Sequence, residues 1–263
     1  MRLRSSLLID LIVCLRFYTR IPVPERWEKS EPSTLAGFPH AIRMLPFAGG
    51  ILGALATLVL WGASGLGFPP LIAAPLSICA LILLSGGMHE DGLADCADGF
   101  FGGATREHKL EIMRDSAIGS FGALALALSL YLRAASLVLI ATESLILAGT
   151  VLIGAAAFSR TIALIPLVML APARDQGAGF AAGKPEPRAL VAAFSLAFVF
   201  GLVPLSGGAG FGQTFAAMIL ASAAALGLAL FARRQIGGQT GDVVGATQQL
   251  AEMAFYLAFT AQA

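Results

Sequence analysis

Charge is what this chain has least of. Only 13% of its 263 residues are Asp, Glu, Lys or Arg, whereas 57% are hydrophobic. A soluble domain carries about 25% charged residues. The shortfall excludes an ordinary water-soluble fold and points to a polytopic membrane protein. Net charge is +1, so nothing draws the chain toward nucleic acid. Cysteine is also scarce. Cys14, Cys79 and Cys96 are odd in number and lack metal-site spacing, which predicts reduced thiols and no disulfide framework. A cleavable leader is not expected either. Asp10 and Arg16 interrupt the apolar run after Met1-Arg2-Leu3-Arg4, and no small-residue cleavage site follows. Neither an internal repeat nor a low-complexity tract is present.

What is there is a series of apolar segments. Residues 3–18 place Leu3, Leu7, Leu8, Leu11, Ile12 and Leu15 at helical spacing, with Arg2, Arg4 and Arg16 nearby. This fits a helix lying in the membrane interface, or one packed on the bundle. Phe17-Tyr18-Thr19-Arg20-Ile21-Pro22-Val23-Pro24 follows, where two prolines enforce extended backbone. Residues 25–43 are polar and read as a loop. Seven apolar segments come next, near 44–66, 69–88, 118–140, 144–171, 189–206, 212–232 and 245–262. A span needs about 20 residues, so the expectation is an all-α bundle. It has about seven transmembrane helices plus the N-terminal interfacial helix, in one integral membrane domain over 1–263.

The basic residues orient it. Seven lie at or before residue 43. Others fall in 89–117 (Arg106, Lys109, Arg114), in 172–188 (Arg174, Lys184, Arg188) and at Arg233-Arg234. The intervening turns are nearly neutral, with at most Arg133 in one of them. The positive-inside rule therefore places the N-terminus and the loops 89–117, 172–188 and 233–244 in the cytoplasm. Those loops also hold most of the unusual polar residues.

The densest concentration is Gly86-Gly87-Met88-His89-Glu90-Asp91-Gly92-Leu93-Ala94-Asp95-Cys96-Ala97-Asp98-Gly99. It carries four of the chain's 16 acidic residues. Asp91, Asp95 and Asp98 at i, i+4 and i+7 share one face of a helix. Like charges so close repel strongly away from water, and a hard cation relieves them. Oxygen-only ligands favour Mg²⁺ or Mn²⁺ over zinc. His89 and Glu90 extend the set, and Asp115 is a candidate further ligand. A solvated acidic helix end is the bland alternative. Arg106, Lys109 and Arg114 have the chemistry to hold phosphate oxygens, or simply belong to a surface helix with i, i+4 pairs. Arg160 falls inside the fourth apolar segment, where a charge needs a partner or an anionic ligand. Arg174-Asp175-Gln176-Gly177 opens the second polar loop. Gly237-Gly238-Gln239-Thr240-Gly241-Asp242 precedes the last span. Its Gly238, Thr240, Gly241 and Asp242 form a phosphate cradle at a helix N-terminus, or a turn in which Asp242 caps the helix. Metals and arginines beside such a cradle suit phosphoryl transfer.

The pattern Asp-Gly-x-x-Ala-Asp-x-x-Asp-Gly partly resembles the CDP-alcohol phosphotransferases. It departs from them because Asp95 replaces the arginine expected after the alanine and the later Asp-x-x-x-Asp is missing. A fuller match resembles the cobalamin synthase family. It is carried by residues 17–24, by 87–99, by Ile112-Met113-Arg114-Asp115-Ser116-Ala117-Ile118-Gly119, and by Gly238-Gln239-Thr240-Gly241-Asp242-Val243-Val244-Gly245-Ala246. Cys96 stands where threonine is expected and Ala117 where a basic residue is frequent. The second departure leaves phosphate binding more dependent on Arg106 and Arg114. The resemblance implies a Mg²⁺-dependent enzyme of the bacterial inner membrane. It would join adenosylcobinamide-GDP to α-ribazole or its 5′-phosphate, releasing GMP. Asp91, Asp95 and Asp98 would hold metal on the diphosphate. His89 or a carboxylate would accept the hydroxyl proton, with His89 as ligand or orienting group equally open. Expected partners are these substrates and the lipid bilayer, and a homo-oligomer is compatible. A transporter using Arg160 and the carboxylates as an ion path is the rival of another class.

Overall fold

The structure, a computed structural model, describes residues 7–22 and 37–261. Leu3 with Arg2 and Arg4, Val23-Pro24, and the polar stretch up to residue 36 lie outside the described residues.

The first helix, α1 (Leu7–Tyr18), is not simply laid on a surface. Leu7 and Leu8 are exposed, but Cys14 and Tyr18 are buried with Phe38, Ile42 and Leu45. Asp10 on its inner face is 2% exposed and bonds both Nη2 and Nε of Arg43, at 2.5 and 2.6 Å. The helix is thus tied to the bundle by apolar burial and a charge pair.

Among the described residues, five helical stretches are long and apolar enough to cross a membrane: Phe38–Gly65, Ser120–Glu143, Leu145–Met169, Pro187–Gly207 and Phe211–Ile236. They comprise α2 (Phe38–Ala41) with α3 (Leu45–Gly65), α7 (Ser120–Glu143), α8 (Leu145–Ile162) with α9 (Ile165–Met169), then, after the short α10 (Ala178–Ala181), α11 (Pro187–Gly201) with a following turn, and α12 (Phe211–Ile236). Leu145–Met169 is the central one, with 83% of its apolar window buried against 28% for Ser120–Glu143. Close packing there relies on small residues. A Cβ on Gly49 would come within 2.5 Å of the Ala156 carbonyl, and one on Gly53 within 2.7 Å of that of Leu152. Thr57 Oγ1 also donates across the interface to Gly149 O at 3.0 Å. In a lipid-like surround, backbone contact and interhelical hydrogen bonds supply the association that a hydrophobic drive cannot. Leu58, Leu71, Leu124, Val191 and Ile219 stay on the outside, where acyl chains would meet them.

All seven apolar segments are helical, but two are not simple spans. The second gives only α4 (Pro70–Ser85), 16 residues long. It stops at Gly86 and Gly87, both at positive φ (68° and 71°), where side-chain-free residues let the chain reverse. The chain then turns by 89° into α5 (Met88–Gly102), so the pair is a broken span or a re-entrant loop. The last segment gives α13 (Gly241–Ala258), which is not among the five. It carries Gln248, Gln249 and Glu252, all buried. Polar groups of that kind need partners inside the protein, so this helix sits among α5, α7, α8 and α12. Arg133 is a second correction. It lies in the middle of α7 at 1% exposure, not in a connecting turn.

Candidate active site

The stretch 89–117, read as a loop, is largely helix: α5 and then α6 (Arg106–Ile112). Along α5 the polar side chains differ in burial. His89, Glu90 and Asp98 are buried, Asp95 is half-buried, and Asp91 is exposed. Asp98 and Glu90 are held by different neighbours, Asp98 from the same helix face as Asp91 but two turns further along.

Asp98 receives backbone N–H bonds from Gly119 at 2.7 Å and Gly122 at 2.8 Å. It therefore satisfies orphan donors at the start of α7. Glu90 pairs with Arg133 at 3.0 Å and accepts a bond from Gln249 at 3.1 Å. Arg133 reaches on to Glu252 at 3.0 Å. Glu252 also meets Arg160 at 3.5 Å and Gln248 at 2.7 Å. The anion beside Arg160 is thus a side chain of this chain, and Arg160 is 2% exposed. Pattern reading missed Arg133, Glu252, Gln248 and Gln249 as members of one network. A lone charge in an apolar helix was the available signal.

At Gly92, α5 meets the other two polar segments. Gly92 lies against the start of α13, where a Cβ would fall 2.8 Å from the Asp242 carbonyl oxygen. The segments before and after are zippered: Gln239 N–H donates to Ala171 O at 2.9 Å and Ala173 N–H to Gln239 O at 2.8 Å. Gly238 sits inside this zipper, packed on the Ala171 carbonyl. Arg106 clips it, donating from Nε to Ile236 O at 2.8 Å and from Nη2 to Ala173 O at 2.7 Å. Those two donors serve backbone carbonyls and not a ligand. Thr240, not Asp242, is the helix cap: its hydroxyl oxygen accepts from Val243 N–H at 3.3 Å. Asp242 instead accepts from Arg174 Nη2 at 3.0 Å and from the Thr240 hydroxyl at 3.1 Å.

Asp91, Asp95 and Asp242 consequently share one rim, with Arg174 beside them. Asp95 lies on the α5 side of the bent pair, within electrostatic reach of Asp91, Asp242, Asp98 and Arg174. Burial raises the Asp242 carboxyl, opposed chiefly by Arg174, at the start of α13 and outside the five spans. Among the described residues, no three His, Cys, Asp or Glu side chains stand together as a ready-made metal site. The donor chemistry nevertheless fits a hard cation. Mg²⁺ is commonly held by one or two carboxylates, with phosphate oxygens and waters completing its shell. Arg114 and Asp115 are exposed beyond α6. Asp115 accepts from Ala117 N–H at 3.0 Å, and no hydrogen bond or ion pair joins either to the rim among the described residues.

His89 closes the inner side. It is 2% exposed, stacks on Tyr18 with ring centroids 5.8 Å apart, and neither ring nitrogen has a hydrogen-bond partner. It lines a cavity of about 110 Å³ together with Asp91 and Asp242.

Comparison with known proteins places the sequence in a family. The sequence model of the cobalamin-5-phosphate synthase family matches residues 10–260. An adenosylcobinamide-GDP ribazoletransferase from Azorhizobium caulinodans is 44% identical over 255 residues, 96% of each chain. Proteins of the same name from Xanthobacter autotrophicus and Brucella anthropi are 40% and 39% identical, over 94% and 95% of this chain and 94% and 96% of their own. No solved structure matches.

Proposed function

The chain belongs to the cobalamin-5-phosphate synthase family, and on that footing we propose that it is an adenosylcobinamide-GDP ribazoletransferase. The observation that carries the reading is 44% identity, over 96% of both chains, to a relative of that name. In the reaction, a ribose hydroxyl of α-ribazole or its 5′-phosphate attacks the phosphorus nearer the corrin. The new P–O bond forms as the diphosphate anhydride bond breaks. GMP departs, and the product is adenosylcobalamin or its 5′-phosphate.

Asp91 and Asp95 project from one face of α5 toward the rim and are the candidates to hold Mg²⁺, with Asp242 facing them across Gly92. A bound cation would neutralise the charge that builds on the phosphate oxygens. Arg174, fixed by Asp242, is placed to hold a phosphate oxygen through its remaining donors, since Nη1 is buried without a partner. His89 takes the hydroxyl proton, a role its unpartnered ring supports. Glu90 and Asp98, bound within the protein, orient α5. The basic loop charges support an orientation with this rim in the cytoplasm and the spans in the bacterial inner membrane.

The test is GMP release by purified protein in detergent or liposomes, given both substrates and Mg²⁺. Chelation should stop it. Asp91→Asn and Asp95→Asn should each cut turnover by about 10²-fold or more, the scale for loss of a transition-state electrostatic contact, while membrane insertion persists. Near-normal turnover in both variants would sink the metal assignment. Transport of cations or corrinoid without GMP release would sink the enzyme reading.

A further inference from the structure

The Phe17-Tyr18 motif plays no part in handling phosphate, yet it forms a wall of the cavity beside His89. Phe17, Tyr18 and Phe38 cluster there, with ring centroids 4.8 Å apart for the Phe17 pairs and 6.0 Å for Tyr18–Phe38. Leu167 and Ala182 add apolar surface to the lining, and Asp91 and Asp242 add carboxylates. Aromatic side chains offer flat apolar faces that suit another flat ring.

We propose that this cavity seats the aromatic base of the ribazole acceptor, and so sets its ribose against His89 and the carboxylate rim. The inference rests on the function proposed above and adds to it the place of one substrate. Three observations support it. The first is size. At about 110 Å³ the cavity is far below the roughly 300–1,000 Å³ of pockets for drug-sized ligands. It suits one bicyclic ring and excludes the corrin macrocycle.

The second is lining. Asp91 and Asp242 can accept from a guanine's N–H donors, but its carbonyl and ring-nitrogen acceptors would lie unpaired against Phe38, Leu167 and Ala182. A benzimidazole has a single free ring nitrogen and otherwise apolar edges. The third is His89. Its ring is 2% exposed with both nitrogens unpartnered. A buried imidazole without partners is costly unless a ligand completes it. It stacks on Tyr18 and lines the same cavity as Asp91 and Asp242, so the ribose of a bound nucleoside would lie near it.

The test fills the cavity without touching the rim. Ala182→Leu should raise KM for α-ribazole at least tenfold. KM for adenosylcobinamide-GDP should stay within about twofold, and kcat at saturating acceptor within about threefold. A second variant works in the opposite sense and so separates the effect from misfolding. Leu167→Ala should improve the use of an acceptor riboside with a larger, naphthimidazole base by at least tenfold relative to α-ribazole. Equilibrium dialysis of α-ribazole without divalent cation should show the same weakening in Ala182→Leu. A rise in KM for the GDP-activated substrate alone would give the cavity to guanine and overturn the proposal. An unchanged acceptor KM in Ala182→Leu, or no gain in Leu167→Ala, would overturn it too. If the unmodified protein releases no GMP, the functional reading itself fails. If it releases GMP and the variants behave alike, only the cavity assignment fails.

Discussion

Removing Arg133 should unsettle the protein more than any other single substitution at a charged residue in α7. Arg133 is 1% exposed and stands between two carboxylates, 3.0 Å from Glu90 and 3.0 Å from Glu252. With Arg160 on the far side of Glu252, the four groups form a neutral set of two anions and two cations. Arg133→Met keeps the side-chain length and removes the charge, leaving one buried carboxylate uncompensated. Breaking a buried pair in this way costs about 3–5 kcal/mol, comparable with the roughly 2.5–3.5 kcal/mol of a lone charge at mid-bilayer. For a chain of this size that is a fall in the thermal midpoint on the order of 10 °C. Charge balance makes a sharper demand on the double variant Arg133→Met with Glu90→Gln. There the remaining Glu252–Arg160 pair is neutral by itself, so two changes should hurt less than one, with a coupling of about 1 kcal/mol or more. Unfolding in detergent micelles, followed by intrinsic fluorescence, reads both variants. A midpoint within about 2 °C of the parent for Arg133→Met, or strictly additive losses in the double, would refute the reasoning.

Three other outcomes follow from the geometry. Arg106→Lys should behave like Arg106→Ala, because a single ammonium does not reproduce a planar fork spanning the Ile236 and Ala173 carbonyls; limited proteolysis within 172–188 should quicken in both, and a fully protected lysine variant would contradict the clip. Gly92→Ala should lower turnover at least tenfold with the protein still inserted, since the added methyl meets the Asp242 carbonyl at 2.8 Å and parts α5 from α13; unchanged kinetics would mean the two helices have slack. Burial, then the nearby Asp10, push the Cys14 thiol up to about 12. It should therefore stay protonated in the folded protein and resist maleimide at pH 8 until unfolding; a folded-state pKa above the unfolded value near 9 leaves stability unaffected by this group below that pH and lowers it above. Rapid labelling of Cys14 in folded protein would count against its burial.

Periodicity found α5 and the face shared by Asp91 and Asp95, because 3.6-residue spacing fixes which side chains are neighbours on one helix. It did not find what neighbouring helices would claim. Asp98 matched the same spacing, yet the start of α7 takes its carboxylate through Gly119 and Gly122. Arg133 and Glu252 are separated by 119 positions, and no local pattern links them. Hydropathy counting hid both, since one charge barely lowers the mean of a 24-residue apolar helix such as α7. The apolar C-terminal half of α13 made it look like a seventh span despite Gln248, Gln249 and Glu252. The turn around Gly238 was legible as glycine-rich, but its job of packing on the Ala171 carbonyl depends on a segment some 65 residues earlier and so was not.

The two groups of charges have opposite logic. Glu90, Arg133, Glu252 and Arg160 balance inside the bundle, so no ligand is needed to keep them there. At the rim, Asp91, Asp95 and Asp242 outnumber Arg174, so charge does not balance there. An excess of negative charge is tolerable where water reaches it, and a bound cation would relieve it. Glu90 and Asp91 are adjacent in sequence but a third of a turn apart on α5. One therefore anchors the helix to the neutral interior while the other faces the rim. A perturbation of the buried set should reach the site through the tilt of α5, altering turnover without removing any group that touches substrate.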